Sequence, residues 1–196
     1  MTDTIAEIHD FWFGELDENG LCTTERNALW FAADEQTDAT CRLRFDTSLQ
    51  LAQAEKLATW AQTDRGLVAL TVLLDQFSRN IHRGTAQAFA GDALALALAQ
   101  DTIASGRHLR LPAIHRVFLY LPLEHCEDLT VQKECVILFE ELAASTDHPQ
   151  FANFTRYAAA HRDVIARFGR FPHRNAVLER QSSEAEQAYM AQHGSF

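Results

Sequence analysis

No stretch of the chain alternates β-branched and polar residues over the length of a strand, and helix breakers are scarce, with four prolines and eight glycines in 196 residues. Apolar side chains recur instead at helical spacing, so the chain reads as all-α. The intervening loops are short, which favours antiparallel helical hairpins packed as an α-α superhelix or bundle. No polar or Gly/Ser-rich linker divides the chain, so residues 1–196 read as a single domain, and no fixed-period repeat is present.

Local signals place the elements. Asp3 or Thr4 can cap a first helix carrying Ile5, Ile8 and Trp12, which Gly14 stops; Glu15 to Cys22 reads as a loop. A short helix near Ala28 precedes a longer one, capped by Asp34, that presents Cys41, Phe45, Leu49 and Ala52 on one face. Asp64-Arg65-Gly66 reads as punctuation before the most apolar helix, Leu67 to Phe77, which has no polar stripe and belongs at the centre. A helix from Asp92 closes at Gly106, and one from Ala113 ends or kinks at Pro122. Thr130 to Leu142 reads as central. Pro149 opens a helix with Phe154, Tyr157, Ala158, His161, Ile165 and Phe168 on one face, ended by Gly169. Ser183 and Glu186 form a capping box for the last helix. Phe11, Trp12, Phe13, Trp30 and Phe31 read as core, with a groove as the alternative, while His9, His108 and His148 read as surface groups.

A net charge of -10 argues against a general nucleic-acid binder, which needs a cationic face, and against anionic membrane surfaces. No apolar run reaches the roughly 18 residues of a membrane span. The acidic N-terminus lacks the pattern of a signal peptide, and four cysteines without a C-x-x-C pair read as reduced thiols of a cytoplasmic protein.

Against that acidity, two acid-free windows hold related strings: R-N-I-H-R-G at Arg79 to Gly84 and R-F-P-H-R-N at Arg170 to Asn175. Both follow apolar helices. Arginine forks suit phosphate or carboxylate, so Arg79, Arg83, Arg170 and Arg174 are candidates to hold an anion, with Asn80, His173 and Asn175 to orient it. Asp75, in the apolar helix, needs a partner, and Arg79 stands four residues on. Arg83 is four residues beyond Arg79, on the same face if the helix continues. A structural network of Asp75, Asp92 and Glu127 with Arg79, Arg83, Arg170 and Arg174 explains the same charges without a ligand. His125, Glu127 and His161 are the candidates to move protons. They lack the spacing of a metal motif, so no metal is assigned and no cofactor is implied. Cys126 beside His125 is no dyad, because adjacent side chains on a helix diverge.

The strings L-L-D-Q-F-S-R-N-I-H-R-G, F-L-Y-L-P-L-E-H-C-E-D and H-R-D-V-I-A-R-F-G-R-F-P-H-R-N resemble the bacterial domain-of-unknown-function 924 family over almost the whole chain. The resemblance implies an all-helical, tetratricopeptide-repeat-like fold and no established activity. Asp75, Arg79, Asn80, Arg83, His125, Glu127, His161, Arg170, His173, Arg174 and Asn175 fall on its pattern. His82, Ser78 and Cys126 depart from it, and Glu179 stands where a glycine is usual, so the stretch after Asn175 is expected to differ locally.

Two functions follow. One is an Arg/His/Asn-lined site for a small phosphate- or carboxylate-bearing ligand, with or without catalysis. The other is a tetratricopeptide-like interaction module whose charged motifs are internal pairs. The sequence leaves open a second copy of the chain or another protein as partner.

Overall fold

The capping oxygen of Asp34 accepts the Thr37 amide at 2.7 Å, and the helix it starts buries Cys41, Phe45, Leu49 and Ala52 at the expected spacing. In the computed structural model, which describes residues 4–146 and 148–194, this helix is one of a series with no strand among the described residues beyond an isolated bridge between Leu16 and Cys22. The chain is all-α. Asp3, one of the two cap candidates, lies outside the described residues.

The first half comprises α1 (Thr4–Trp12), α2 (Asn27–Phe31), α3 (Glu35–Gln53), α4 (Asp64–Val72), α5 (Ser78–Ile81), α6 (Asp92–Ala104) and α7 (Ala113–Glu124). The second comprises α8 (Leu129–Ala144), α9 (Gln150–Phe168) and α10 (Glu184–His193). Two compact units result, Met1–Arg83 with Gln87–Pro122, and Gly84–Ala86 with Leu123–Phe196.

In the first unit every residue from Gly66 to Ser78 is buried, as an apolar helix without a polar stripe requires. Around it Phe45 stacks on Phe77 at 4.7 Å and Trp12 meets Phe77 edge-on at 5.2 Å. Trp30 donates its indole N–H to the Trp12 carbonyl at 2.9 Å. Trp12, Phe13 and Trp30 are core, whereas Phe31 is 53 % exposed.

Further details of this unit differ from the sequence reading. Asp64-Arg65-Gly66 is the first turn of α4, not a break: Thr63 caps it, accepting the Gly66 amide at 3.0 Å. Between α4 and α5 the helix widens into a π turn, Leu73–Phe77, which holds Asp75. Pro122 lies inside α7, so near its end that only the last turn lacks a donor, and the helix continues to Glu124. His9 and His108 are buried; His9 leaves the surface because its Nε2 donates to the Arg65 carbonyl at 2.9 Å.

In the second unit α8 and α9 form a hairpin across a short loop. Phe151, Phe154, Ala158, His161, Val164 and Ile165 form the buried face of α9, and Thr155 donates to the Phe139 carbonyl at 3.1 Å. Tyr157 is not part of that face, being 53 % exposed, because its position rotates beyond the stripe that α8 covers. Gly169 ends α9 at φ 69°, and the Ser183–Glu186 capping box starts α10.

Glu179, where the resembling family has glycine, adopts φ 54°. A side chain in this left-handed region costs about 1–2 kcal/mol, and glycine regains part of that against its greater freedom when unfolded. Glu179→Gly is therefore expected to stabilise the protein by about 0.5–1 kcal/mol, read as a higher urea midpoint. An unchanged or lower midpoint would show that the Glu179 side chain stabilises the fold elsewhere.

Candidate functional site

The first motif is clamped to carboxylates of its own unit. Asp75 is 0 % exposed; it accepts the Gln76 amide at 2.5 Å and lies 3.2 Å from Arg79 Nη1. The Arg79 fork then takes Asp92 at 2.8 and 3.1 Å and also donates to the Asp75 carbonyl at 2.8 Å. Asp92 reaches that position because Gly91 presses against the π turn: a Cβ at Gly91 would stand 2.3 Å from the Leu74 carbonyl oxygen. Burial works against the Arg79 cation, but Asp75 and Asp92 outweigh it and hold its pKa above the ordinary value.

Arg83 is not a continuation of the Arg79 face, because α5 ends at Ile81. Its fork grips Asp38 of α3 at 2.5 and 2.8 Å, and Asn80 donates to the same carboxylate at 2.8 Å. Burial alone would raise the Asp38 pKa; Arg83 and Asn80 override it and lower the carboxyl.

The second motif is also clamped, with Glu186 rather than Glu127 taking its first arginine. Arg170 takes Glu186 at 2.7 and 2.9 Å. The hydrogen bond from Arg170, helped by the Ser183 amide and the Asn175 side chain, lowers the Glu186 carboxyl to about 2. Asn175 is buried and donates to Ser182 at 3.0 Å. Glu127 is held by Arg180 at 2.6 and 3.0 Å and by the Phe171 amide at 2.8 Å. The expected network is thus corrected in its partners: Arg83 pairs with Asp38, Arg170 with Glu186, and Glu127 with Arg180. These pairs span 16 to 53 residues, so no local spacing announces them.

What remains of the candidate set gathers in the second unit around Phe171. Gln132 of α8 donates to the carbonyls of Glu124 at 2.5 Å and Cys126 at 2.8 Å, satisfying the frayed end of α7 and fixing Glu124 and His125. His161 of α9 is buried with its Nδ1 2.9 Å from the Tyr157 carbonyl and 3.2 Å from Glu124 Oε1. Both are acceptors, so Nδ1 carries the ring proton and Nε2 keeps its lone pair. The His125 ring lies 6.3 Å from that of His161, Phe171 meets His161 edge-on at 5.5 Å, and His173 lies 5.6 Å from Phe171. Arg174, also buried, stacks its guanidinium over Phe171 at 4.5 Å. Glu124, beside His161, is a residue that no motif in the sequence singles out.

Residues 8–194 match the family described as bacterial protein of unknown function DUF924. The chain belongs to that family. A solved structure, a protein of unknown function, ATU0120, from Agrobacterium tumefaciens, is 34 % identical to it, with a TM-score of 0.81 over 96 % of this chain and 97 % of that one. No protein of curated function matches. Among the described residues no helix is long and apolar enough to cross a membrane, and no three His, Cys, Asp or Glu side chains are placed to hold a metal ion.

Within this family member, burial pushes the His161 imidazole down to about 3; the Tyr157 hydrogen bond opposes this, while His125, His173 and Arg174 add to it. The Glu124 carboxyl 3.2 Å away does not reverse the direction, because the ring is sealed from water. Between pH 6.5 and about 3 the unfolded chain binds a proton at His161 that the folded chain refuses. Stability therefore falls with falling pH across that window, by at most about 1.4 kcal/mol per unit from this group, and this contribution is flat above it. His161→Gln is expected to flatten the slope of urea stability between pH 6 and 4 by that amount; an unchanged slope would mean that the native ring titrates normally.

Proposed function

We propose that the second unit binds a small anion bearing phosphate or carboxylate. The observation that supports this reading is the gathering of His161, His173 and Arg174 around the ring of Phe171, with His125 beyond His161, in a protein of net charge -10. Basic groups collected against a low-dielectric aromatic wall favour an anion. Arg174 supplies the permanent charge, His125 and His173 add donors, and neutral His161 offers Nε2 as an acceptor for a ligand hydroxyl. Arg79, Asn80, Arg83, Arg170 and Asn175 serve as buttresses in this reading, since each is committed to protein partners. Proton transfer, if the ligand is turned over, falls to His125, because Glu127 is gripped by Arg180 and His161 resists protonation.

The test is thermal unfolding with inorganic phosphate against chloride at matched ionic strength. At ten times its Kd, phosphate is expected to stabilise by about 1.4 kcal/mol, about 3–6 °C for a chain of this size. Arg174→Gln is expected to abolish the rise. No rise in the wild type, or an equal rise in the variant, would refute the reading.

A tetratricopeptide-like interaction module is the second reading, supported by the α8–α9 hairpin with Ile137 and Tyr157 exposed on it. In this reading the partner is a second copy of the chain. Sedimentation showing a concentration-dependent dimer that Ile137→Asp dissolves would favour it, and a monomer at every concentration would sink it.

A further inference from the structure

A second site, independent of the anion reading, lies in the first unit. After α1 the chain turns at Gly14, φ 65°, where a Cβ would meet the Arg26 guanidinium at 2.2 Å. The loop that follows docks on the start of α7: Ile114 donates its amide to the Gly20 carbonyl at 3.1 Å, and a Cβ at Gly20 would stand 2.9 Å from the Ala113 backbone nitrogen. Between this loop, α1, and the starts of α4 and α7 is a cavity of about 490 Å³. That is the size of a small-molecule site.

His115 forms part of its wall. The ring packs against Phe13 at 4.5 Å and His9 at 5.0 Å, only 6 % of the residue is exposed, and Nε2 has no hydrogen-bond partner. A buried polar nitrogen left unpaired is costly, and native folds rarely tolerate one without a compensating role. Burial, His9 and Arg65 push this imidazole down to about 3, so the ring stands in the cavity wall uncharged.

The charges lining the same cavity divide into two sets. Asp64 and Arg110 satisfy each other at 3.1 Å, with Arg107 on Asp64 at 2.7 Å. Asp10, Glu15 and Arg65 also line the cavity, yet the side chains of all three make no ion pair or hydrogen bond to another described residue. The lining thus offers two carboxylates and one guanidinium to an occupant, beside the apolar surface of Leu111 and Pro112.

We infer that this cavity binds a small zwitterion of the α-amino-acid type. Its ammonium meets Asp10 and Glu15, its carboxylate meets Arg65, and its carbon skeleton rests on Leu111 and Pro112, with the His115 ring in the wall as a reporter of occupancy. A simple anion would leave the two carboxylates opposed, and a simple cation would leave Arg65 unmatched.

The experiment follows the His115 ring resonances by NMR in the full chain while each standard L-amino acid is added at millimolar concentration. At least one is expected to move the His115 signals saturably, with acetate and methylammonium, alone or together, without effect. Arg65→Gln, and separately Asp10→Asn combined with Glu15→Gln, are expected to weaken that binding about tenfold or more, the loss of a charge-assisted contact. These three residues are exposed, so the variants are expected to fold as the wild type does, checked by unchanged melting. The inference is overturned if no amino acid moves His115, if acetate or methylammonium reproduces the shift, or if the variants bind as the wild type does. Phosphate binding in the second unit is read separately, so failure of either proposal leaves the other standing.

Discussion

Arg79→Met is expected to destabilise the protein by about 3–5 kcal/mol, the usual result of stripping one partner from a buried ion pair. Asp75 is wholly buried inside the π turn of the most apolar segment, and Arg79 neutralises it while also tying down Asp92 at the start of α6. Methionine keeps much of the arginine stem but takes the guanidinium away from the buried Asp75 carboxylate. Adding Asp75→Asn removes the stranded charge, so the double variant is expected to be more stable than Arg79→Met alone. Urea midpoints measure both. A double variant less stable than the single one would mean that Asp75 contributes through contacts other than the arginine.

Glu127→Ala is expected to cost about 2–4 kcal/mol, from a charge-assisted fork and one backbone hydrogen bond in a half-buried setting. Glu127 joins Arg180 to the Phe171 amide, and Arg180 donates in turn to the Phe171 carbonyl at 3.1 Å. The segment from Gly169 to the capping box has only the short turn Pro172–Arg174 as regular structure, so these clamps hold it. Hydrogen exchange at the Phe171 amide is expected to rise in the variant. A stable variant with a protected Phe171 amide would show that the segment is held without Glu127.

The helices were legible because their signals are local. Asp34, Gly169 and the Ser183–Glu186 box act on backbone groups within one turn, and the α3 face follows from spacing alone. The left-handed backbone at Glu179 was not legible, since glutamate carries no preference for positive φ. The π turn at Leu73–Phe77 was not, since an apolar run carries no mark of one extra residue in the turn. Of the candidate residues, His161, His173 and Arg174 meet Phe171 and His125 lies beside His161, but the acids that take Arg83, Arg170 and Arg180 come from distant parts of the chain. Asp38 lies 45 residues from Arg83, and Glu127 lies 53 from Arg180. Composition shows that such acids exist, and only the fold decides which of them each arginine meets. The same holds for Glu124, whose approach to His161 depends on Gln132 fixing the end of α7.

The proposal that Arg174 meets the anion while the other motif arginines hold their carboxylates is tested most directly by the Nε–H signals of the arginines in an NMR titration with inorganic phosphate. The account predicts a saturable shift at Arg174, with Arg79, Arg83, Arg170 and Arg180 unmoved on their carboxylates. A saturable shift at Arg79, Arg83 or Arg170, or none at Arg174, would contradict it.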